Sequence, residues 1–528
     1  MAAFAYPQFG YTAPKVPRGG SEKCRVAIVG GGPVGLTAAL DLAQHGISCI
    51  LLDEEDTVSV GSRAICYAKR TLEIWDRLGV GERMLKKGVT WQVGKVFHGA
   101  SQCYSFDLLP ESGHRFPAFI NLQQYYAELY LVEAAQARPE IELRWKHRVY
   151  DVVPGNDGVR LSVTTPDGDY TLIADYVLAA DGARSTVRRK LGLDFRGQVF
   201  EDRFLIADVR MKADFPTERW FWFDPPFHAG GSALLHKQPD DVWRIDLQLG
   251  WQADPEVERQ PERVLPRLKA MLGENTPFEL EWVSVYTFQC RRLDRFRHGR
   301  VLFIGDSAHQ VSPFGARGAN SGIQDVDNLV WKLALVMQGE APETLLDSYD
   351  LERVAAADEN ILHSTRSTDF IVPRNNAVRA LRDAVLGLAD EHAFARRLVN
   401  SGRLSMPATY RNSVLSTPDT EAFEKGPQPG APAIDAPIDQ GKDWLLRRCQ
   451  SGAFTLISFN GEIELPSTLQ DKVKLVTVRD EGLAADRYSA APGTAYLLRP
   501  DQHVAARWRR PSSAEISRAY ERAIGRVA

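Results

Sequence analysis

The chain has 528 residues, 44% of them hydrophobic, and a net charge of −4 from 64 Lys and Arg against 68 Asp and Glu. That length exceeds what one core serves, so two or three domains are expected. Both signs of charge are mixed, leaving no basic stripe for nucleic acid or polybasic segment for anionic lipid, and no window has the length and apolarity of a membrane span. The expected partners are small molecules, with no nucleic acid and no membrane.

The six cysteines (Cys24, Cys49, Cys66, Cys103, Cys290 and Cys449) have neither C-x-x-C nor metal-ligand spacing, so they read as reduced core thiols and no metal site is expected. Met1 to Gly20 lacks the basic start and apolar core of a secretory signal, which points to the cytoplasm. Phe4, Tyr6, Phe9 and Tyr11 make that tail aromatic. Packing on the body, packing on a neighbouring subunit and disorder all stay open for it.

In chain order, Val26-Ala27-Ile28-Val29 is an apolar strand opening into Gly30-Gly31-Gly32-Pro33-Val34-Gly35, a G-x-G-x-x-G turn, then a helix from Pro33 to His45 closed by Gly46. Gly30 permits the tight turn, Gly32 lets backbone approach a pyrophosphate, and Gly35 lets helix and strand pack closely. The helix N-terminus faces the anion. The next strand, Ile47 to Leu52, ends at Asp53, the carboxylate expected on a ribose, with Glu54 and Glu55 as fallbacks. This is the pattern of an adenine-dinucleotide site. No second G-x-G-x-x-G follows another strand.

Helices are expected over Ala68 to Leu78, entered through Ser62-Arg63-Ala64, and over Gln123 to Gln136. Strands follow at 148–153, 159–163 and 176–180, the last running into Asp181-Gly182. From Phe200 to Phe288, runs such as Trp220-Phe221-Trp222-Phe223 and Trp243-Arg244-Ile245-Asp246-Leu247 predict a mostly antiparallel sheet over the nucleotide domain. Val301 to Ile304 returns to the first domain, a long helix runs from Gly322 to Met337 with Gly339 as its stop, and further helices reach about Val399. A Pro-, Gly- and Ala-rich link then precedes a small α/β module with strands at 454–459, 473–478 and 495–498. The expected division is a tail, 1–22; a nucleotide domain with helical continuation, 23–199 and 289–417; a substrate sheet, 200–288; a link, 418–440; and a C-terminal module, 441–528.

Three elements together, Gly30 to Gly35, Ala180-Asp181-Gly182-Ala183-Arg184-Ser185-Thr186-Val187-Arg188, and Gly305-Asp306-Ser307-Ala308-His309 leading to Pro313, resemble the FAD-dependent aromatic hydroxylases of the 4-hydroxybenzoate hydroxylase type. The run from Pro313 to Gly322 and the ending Leu498-Arg499-Pro500-Asp501 are most similar to 3-(3-hydroxyphenyl)propionate hydroxylases and phenol hydroxylase-like members. The resemblance implies an α/β fold with α+β elements: an FAD-binding Rossmann-like domain, an interleaved substrate sheet, and a thioredoxin-like C-terminal domain, here without C-x-x-C. It departs at Ala316, where many relatives have Gly.

The resemblance implies FAD contacts at Gly30, Gly32, Pro33, Val34, Gly35, Asp53, Glu54, Arg63, Gln124, Asp181, Gly182, Asp306, Pro313, Gly318, Ala319 and Asn320. It implies NADPH or NADH as a transient reductant, a small aromatic substrate, O2 and a homodimer. The implied reaction is hydroxylation of a phenolic ring through a flavin hydroperoxide. A phenol ionises near pH 10 in water, so a base or proton relay is needed. The candidates are His228, His236 and Tyr286, with Arg244 for a substrate carboxylate or for pairing with Asp246 or another acid. His309 invites a general-base reading, but its place in the cofactor motif favours a structural one. Flavin-dependent halogenases also carry W-x-W, though Phe223-Asp224-Pro225-Pro226 follows here and sheet packing is favoured for Trp220 and Trp222. A halogenase and a non-catalytic binding protein of the GDP-dissociation-inhibitor kind are the alternatives.

Overall fold

The computed structural model describes residues 4–373, 375–399, 405–449, 452–461, 463–479 and 482–527. Its first sheet has the strand order Arg297–His298, Val301–Phe303, Gly168–Ala179, Ser21–Val29, Cys49–Asp53, Ile141–Trp145, and the hairpin Arg148–Pro154/Val159–Thr165 adds on through Gly168–Ala179. Ser21–Val29 runs parallel to both its neighbours. Val26 to Val29 read as an unbroken apolar run because helices cover the sheet and bury them. The helix Pro33–Gln44 packs against both Gln124–Gln136 and Gly318–Met337.

The second sheet runs His309–Gln310, Glu279–Arg292, Arg196–Arg210, Val242–Gln248, Ser232–Lys237, Arg219–Phe223, Val93–His98, Ser101–Asp107. All pairings are antiparallel except the parallel contact of Arg219–Phe223 with Val93–His98. The sheet therefore reaches beyond the expected span 200–288 at both ends. Val93–His98 joins it by pairing with Arg219–Phe223, over a hundred residues away, and local periodicity carries no trace of that pairing. The outer face is apolar, with Leu205, Ala207, Trp243, Ile245 and Leu247 beneath Val264 and Leu268 of the helix Pro261–Leu272.

Helices Asp347–Ile371, Asn376–Ala389 and Ala393–Val399 complete the expected helical stretch. The C-terminal sheet has the order Val473–Val478, Phe454–Phe459, Ala495–Leu498, Val504–Trp508, with one parallel and two antiparallel contacts. The helix Ser513–Ala523 follows, opened by a Ser512/Glu515 capping box. The stretch expected as a link is built into this module: Gly430 N–H donates to the Val504 carbonyl at 2.8 Å, Ala433 N–H to the Gln502 carbonyl at 2.8 Å, and Ala436 is fully buried. Small residues and proline suit an extended segment laid flat on a sheet as well as they suit a spacer.

A buried ionic cluster explains the Leu498-Arg499-Pro500-Asp501 ending. Arg499 donates to both Glu352 oxygens (2.6 and 3.1 Å) and to Asp501, while Lys332 Nζ reaches Glu352 at 2.8 Å. Arg70 donates to the Asp501 carbonyl (2.6 Å) and to Asp327 (2.9 Å), joining the module to the nucleotide domain. Burial opposes the charge on Glu352, yet Arg499 and Lys332 hold its pKa well below the usual range.

The aromatic tail packs on the body. Phe4 stacks on Tyr125 at 4.2 Å between ring centroids, Phe9 stacks on Trp145 at 4.6 Å, and Phe9 N–H donates to the Asp56 carbonyl at 2.7 Å. Among the described residues no helix is long and apolar enough to cross a membrane, and no group of His, Cys, Asp and Glu is placed to hold a metal ion.

Candidate active site

The glycine turn divides into parts with different duties. Gly30 has φ +108°, and a Cβ there would stand 2.4 Å from the Ala180 carbonyl oxygen. A Cβ on Gly35 would stand 2.0 Å from the Gly30 carbonyl oxygen, so this glycine lets the helix lie against its own strand. Gly32 differs: a Cβ there meets nothing within 4 Å. It is the N-cap, with Pro33 behind it at the first helical position, so the free N–H groups of the first turn front open space. The Val34 side chain packs towards Gly305 and Gly322, whose added Cβ atoms would lie 3.1 and 2.7 Å from its methyls.

Asp53 Oδ2 accepts from Gly31 N–H at 2.5 Å and Oδ1 from Glu55 N–H at 2.8 Å. Burial raises its pKa against the pull of those two N–H groups. Glu54 and Glu55 are exposed and line an outward depression with Lys146 and Arg148, so Asp53 is the acid bonded to the glycine turn.

Asp181 accepts from Val187 N–H at 3.0 Å through Oδ2, while its Oδ1 is buried with no partner among the described residues. An orphaned buried oxygen costs about 1–3 kcal/mol, which a cofactor hydroxyl or N–H would relieve. Gly182, at φ +70°, again fronts open space. Asp306 is solvent-accessible although protein closes round it, the situation of a group on the floor of a deep cleft. Burial raises its pKa, and contact with water moderates the rise. His309 lies behind it: Nε2 pairs with Asp325 at 2.7 Å, and Asp325 also accepts from Gly305 N–H (2.9 Å) and Arg353 (2.7 Å). His309 thus braces the Gly305–Ser307 turn, as its motif position favours.

The long helix begins at Gly318, four residues before the expected start, and a Cβ on Gly318 would lie 4.0 Å from Asp306 Oδ1. Its positive end is therefore brought to the Asp306 side of the cleft. Ahead of it, Pro313 is exposed and Ala316 has the left-handed φ of +52°, which explains Gly in relatives. Asn320 corrects the expectation for its side chain. Its Oδ1 accepts from Ala68 N–H (2.8 Å) and the Thr71 hydroxyl (2.6 Å), and Nδ2 donates to the Cys66 and Ala316 carbonyls. With all four bonds spent on protein, its backbone is what remains for a cofactor, as for Ala319 beside it.

Arg63 is exposed at φ +39°, and Arg244 holds it there, donating to the Arg63 carbonyl at 2.6 Å, to Asp208 at 3.2 Å and to the Ser62 hydroxyl. Arg244 is accordingly occupied as a brace, paired with Asp208 rather than Asp246, and is withdrawn from the substrate-carboxylate role. Gln124 bridges the same loop, accepting from Ala64 N–H at 3.1 Å and donating to Glu128 at 2.8 Å and the Ser59 hydroxyl at 3.1 Å.

Strand register orders the inner face of the second sheet into rows. One runs Gly94, Arg219, His236, Arg244, Asp208, Trp282; the next Val96, Phe221, Leu234, Asp246, Ile206, Ser284; the next His98, Phe223, Ser232, Gln248, Phe204, Tyr286. Phe314 packs on this face, 5.0 Å from Phe204 and 5.1 Å from Phe288 between ring centroids, which joins it to the loop before the long helix.

His236 stands between Arg219 and Arg244, and burial and both guanidiniums push its pKa well down, which disqualifies it as a proton acceptor. His228 spends Nε2 on the Gln248 carbonyl (2.6 Å) at the sheet's end, beside the helix Pro261–Leu272, and is a brace. Tyr286 stays on the inner face. Trp220 and Trp222 lie on the outer face, Trp222 stacked on Phe97 at 5.1 Å, so W-x-W is sheet packing. Sequence reasoning missed Arg219, buried with no carboxylate in ion-pair range among the described residues, and it named Asp246 only as an ion-pair partner. The signal was the alternation around Trp220 and Ile245, which puts both on the aromatic inner face.

An orphaned acid at Asp181, open space before Gly32 and Gly182, and an accessible Asp306 facing a helix N-terminus fit a long dinucleotide laid across the strand ends. A model of the FAD binding domain matches residues 23–364. The chain belongs to this FAD-binding family. A model of the aromatic-ring hydroxylase C-terminal domain matches residues 426–527. A 6-methylpretetramide 4-monooxygenase of Streptomyces rimosus is 30% identical over 526 residues, covering 93% of this chain and 92% of its own. A 3-(3-hydroxy-phenyl)propionate/3-hydroxycinnamic acid hydroxylase of Mycolicibacterium smegmatis is 28% identical over 471 residues, covering 89% and 82%. Among solved structures, the flavin-dependent monooxygenase PieE in complex with FAD and substrate shares the fold, with a TM-score of 0.82, 23% identity, and 97% and 100% coverage.

Proposed function

We propose that this protein is an FAD-dependent monooxygenase that hydroxylates a phenolic ring, drawing electrons from NADPH or NADH and oxygen from O2. The observation that carries the reading is the meeting of the FAD cleft with the aromatic inner face of the second sheet, where Phe314 packs on Phe204 and Phe288. FAD, when bound, supplies the redox chemistry and oxygen-atom transfer. The protein's part is to hold and exclude. The Gly32 end of the first helix takes the pyrophosphate and Asp53 a ribose, Asp181 and Asp306 accept from cofactor hydroxyls, and Arg63 and Gln124 border the cofactor from the side. The phenylalanines of the inner face keep bulk water from the reacting carbon.

The absence of a second dinucleotide turn in the sequence supports transient docking of the reductant at the Asp181-Gly182 side. Exposed Leu381, Leu388, Phe394 and Leu398 support a homodimer, and the strand order of the C-terminal sheet supports a thioredoxin-like module with a structural role. The inner-face rows hold no lysine, and W-x-W points away from them, which sets the halogenase alternative behind hydroxylation.

The test is to purify the protein, record its flavin spectrum, and follow NADPH and NADH oxidation in air against phenols and hydroxyphenyl acids, with products identified by mass. A phenol that speeds oxidation and gains one oxygen atom is expected. Bound FAD with no stimulation by any phenol would overturn the reading, and a chlorinated product in chloride would move it to halogenation.

A further inference from the structure

Two ionisable side chains on the inner face are unpaired where their neighbours are paired. In the first row Arg244 and Asp208 satisfy each other and the Ser62–Arg63 loop, but Arg219 has no such acid. In the second row Asp246 is flanked by Leu234 and Ile206, with Phe221 one strand further, and its Oδ1 is buried with no donor among the described residues. A carboxylate in an apolar row beside aromatic rings gains nothing for the fold. Arg219 and Asp246 lie two strands and one row apart, a backbone separation of about 12 Å, and both face the side on which Phe314 and the Pro313–Gly318 loop pack.

Resting on the hydroxylase reading, we propose that Asp246 is the proton acceptor for the substrate's phenolic hydroxyl and that Arg219 is the cation that holds the phenolate. In the step, the phenolic O–H bond breaks, its electron pair stays on the phenolic oxygen, and the proton forms an O–H bond on the Asp246 carboxylate. The ring becomes electron-rich, and the negative charge shifts towards Arg219. The proton returns when the product leaves. The charged and titratable groups facing Asp246 are Arg244, Arg219 and Asp208, the thiol of Cys66 on the strand Cys66–Ala68, which burial keeps protonated, and His236, held neutral in the next row. Burial, assisted by Asp208 and opposed by the two arginines, lifts its pKa to about 6, so it is a ready acceptor at neutral pH. This assigns the proton to a residue other than the two histidines and Tyr286.

The experiment uses the FAD-loaded enzyme, wild type and Asp246→Asn, with two phenols: weakly acidic 3-hydroxyphenylpropionate and 4-nitrophenol, which is largely ionised by about pH 8. For the wild type, kcat/KM on the weak acid falls about tenfold per pH unit below about pH 6. Asp246→Asn removes that limb and lowers kcat about 100-fold on the weak acid, but less than tenfold on the ionised phenol. Asp246→Glu recovers part of the loss.

If the Asn variant fails to hold FAD, the wild type still decides. A phenolate beside Asp246 shares one proton with it, so calorimetry in buffers of different ionisation enthalpy reads about one proton taken up per 4-nitrophenolate bound. No proton uptake, an unchanged kcat and pH limb in Asp246→Asn, or equal slowing on both phenols would overturn the assignment while leaving the hydroxylase standing. Failure of every phenol to bind or be oxygenated removes the hydroxylase reading, and this assignment with it.

Discussion

Gly32 and Gly35 lie three residues apart in one turn, and adding a single methyl to each separates fold from cofactor. In Gly35→Ala the new Cβ starts 2.0 Å from the Gly30 carbonyl oxygen and 3.3 Å from the Ala180 Cβ, both rigid parts of the strand ends. The helix Pro33–Gln44 must retreat by about 1 Å, and overpacking of that kind costs about 1–3 kcal/mol. In Gly32→Ala the methyl meets nothing, and φ of −73° suits alanine. Alanine is a poorer N-cap than glycine but restricts the unfolded chain, so stability without FAD changes by less than about 0.5 kcal/mol. With the pyrophosphate at Gly32 as proposed, the same methyl stands in its path, and FAD affinity is expected to fall about 10- to 100-fold, or about 1.4–2.8 kcal/mol. Thermal unfolding with and without FAD, together with FAD titration by flavin fluorescence, measures both quantities. Equal loss of stability without FAD in the two variants, or undiminished FAD binding by Gly32→Ala, would refute this division.

Glu352→Gln leaves Lys332 buried without its acid and Arg499 with Asp501 alone, and is expected to cost about 3–5 kcal/mol in chemical denaturation. Because the folded pKa of Glu352 is depressed, its contribution is complete above the unfolded value of about 4.3 and is lost as pH falls through the lower folded value. Acid unfolding of the wild type should therefore steepen below about pH 4, and the variant should lack that component. Phe9→Ala removes the stack on Trp145, which itself lies near Gly31 and Asp53, and should cost about 0.5–1.5 kcal/mol beyond area burial. Faster proteolysis within the first twenty residues reads that loss, and an unchanged digestion rate would show that the tail packs without consequence.

Much of the nucleotide domain was legible because its signals are local. An apolar strand, three glycines at fixed spacing and an acid at the next strand end each follow from the backbone conformation needed at that position, and Gly30, Gly35 and Asp53 meet those needs. The aromatic alternation of Trp220 to Phe223 likewise announced two faces, and the structure gives them different partners. What was not legible is which polar residues are already spent. Asn320 and Arg244 looked available, yet each is consumed by backbone and side chains far away in sequence. Arg219 and Asp246 looked like ordinary strand charges and are the pair left over.

The sequence by itself determined the strand-turn-helix that greets a dinucleotide, the order of the motifs and the mostly antiparallel character of the second sheet, because periodicity and glycine placement act over a few residues. Only the tertiary structure decided that the strands from 93 to 107 join that sheet, that the link at 418–440 is part of the C-terminal module, and that Arg499 ties that module to the helix Asp347–Ile371 through Glu352. The availability of a side chain for chemistry is a remainder. It is what burial, strand register and long-range hydrogen bonds leave unpaired, and no stretch of chain contains its own remainder.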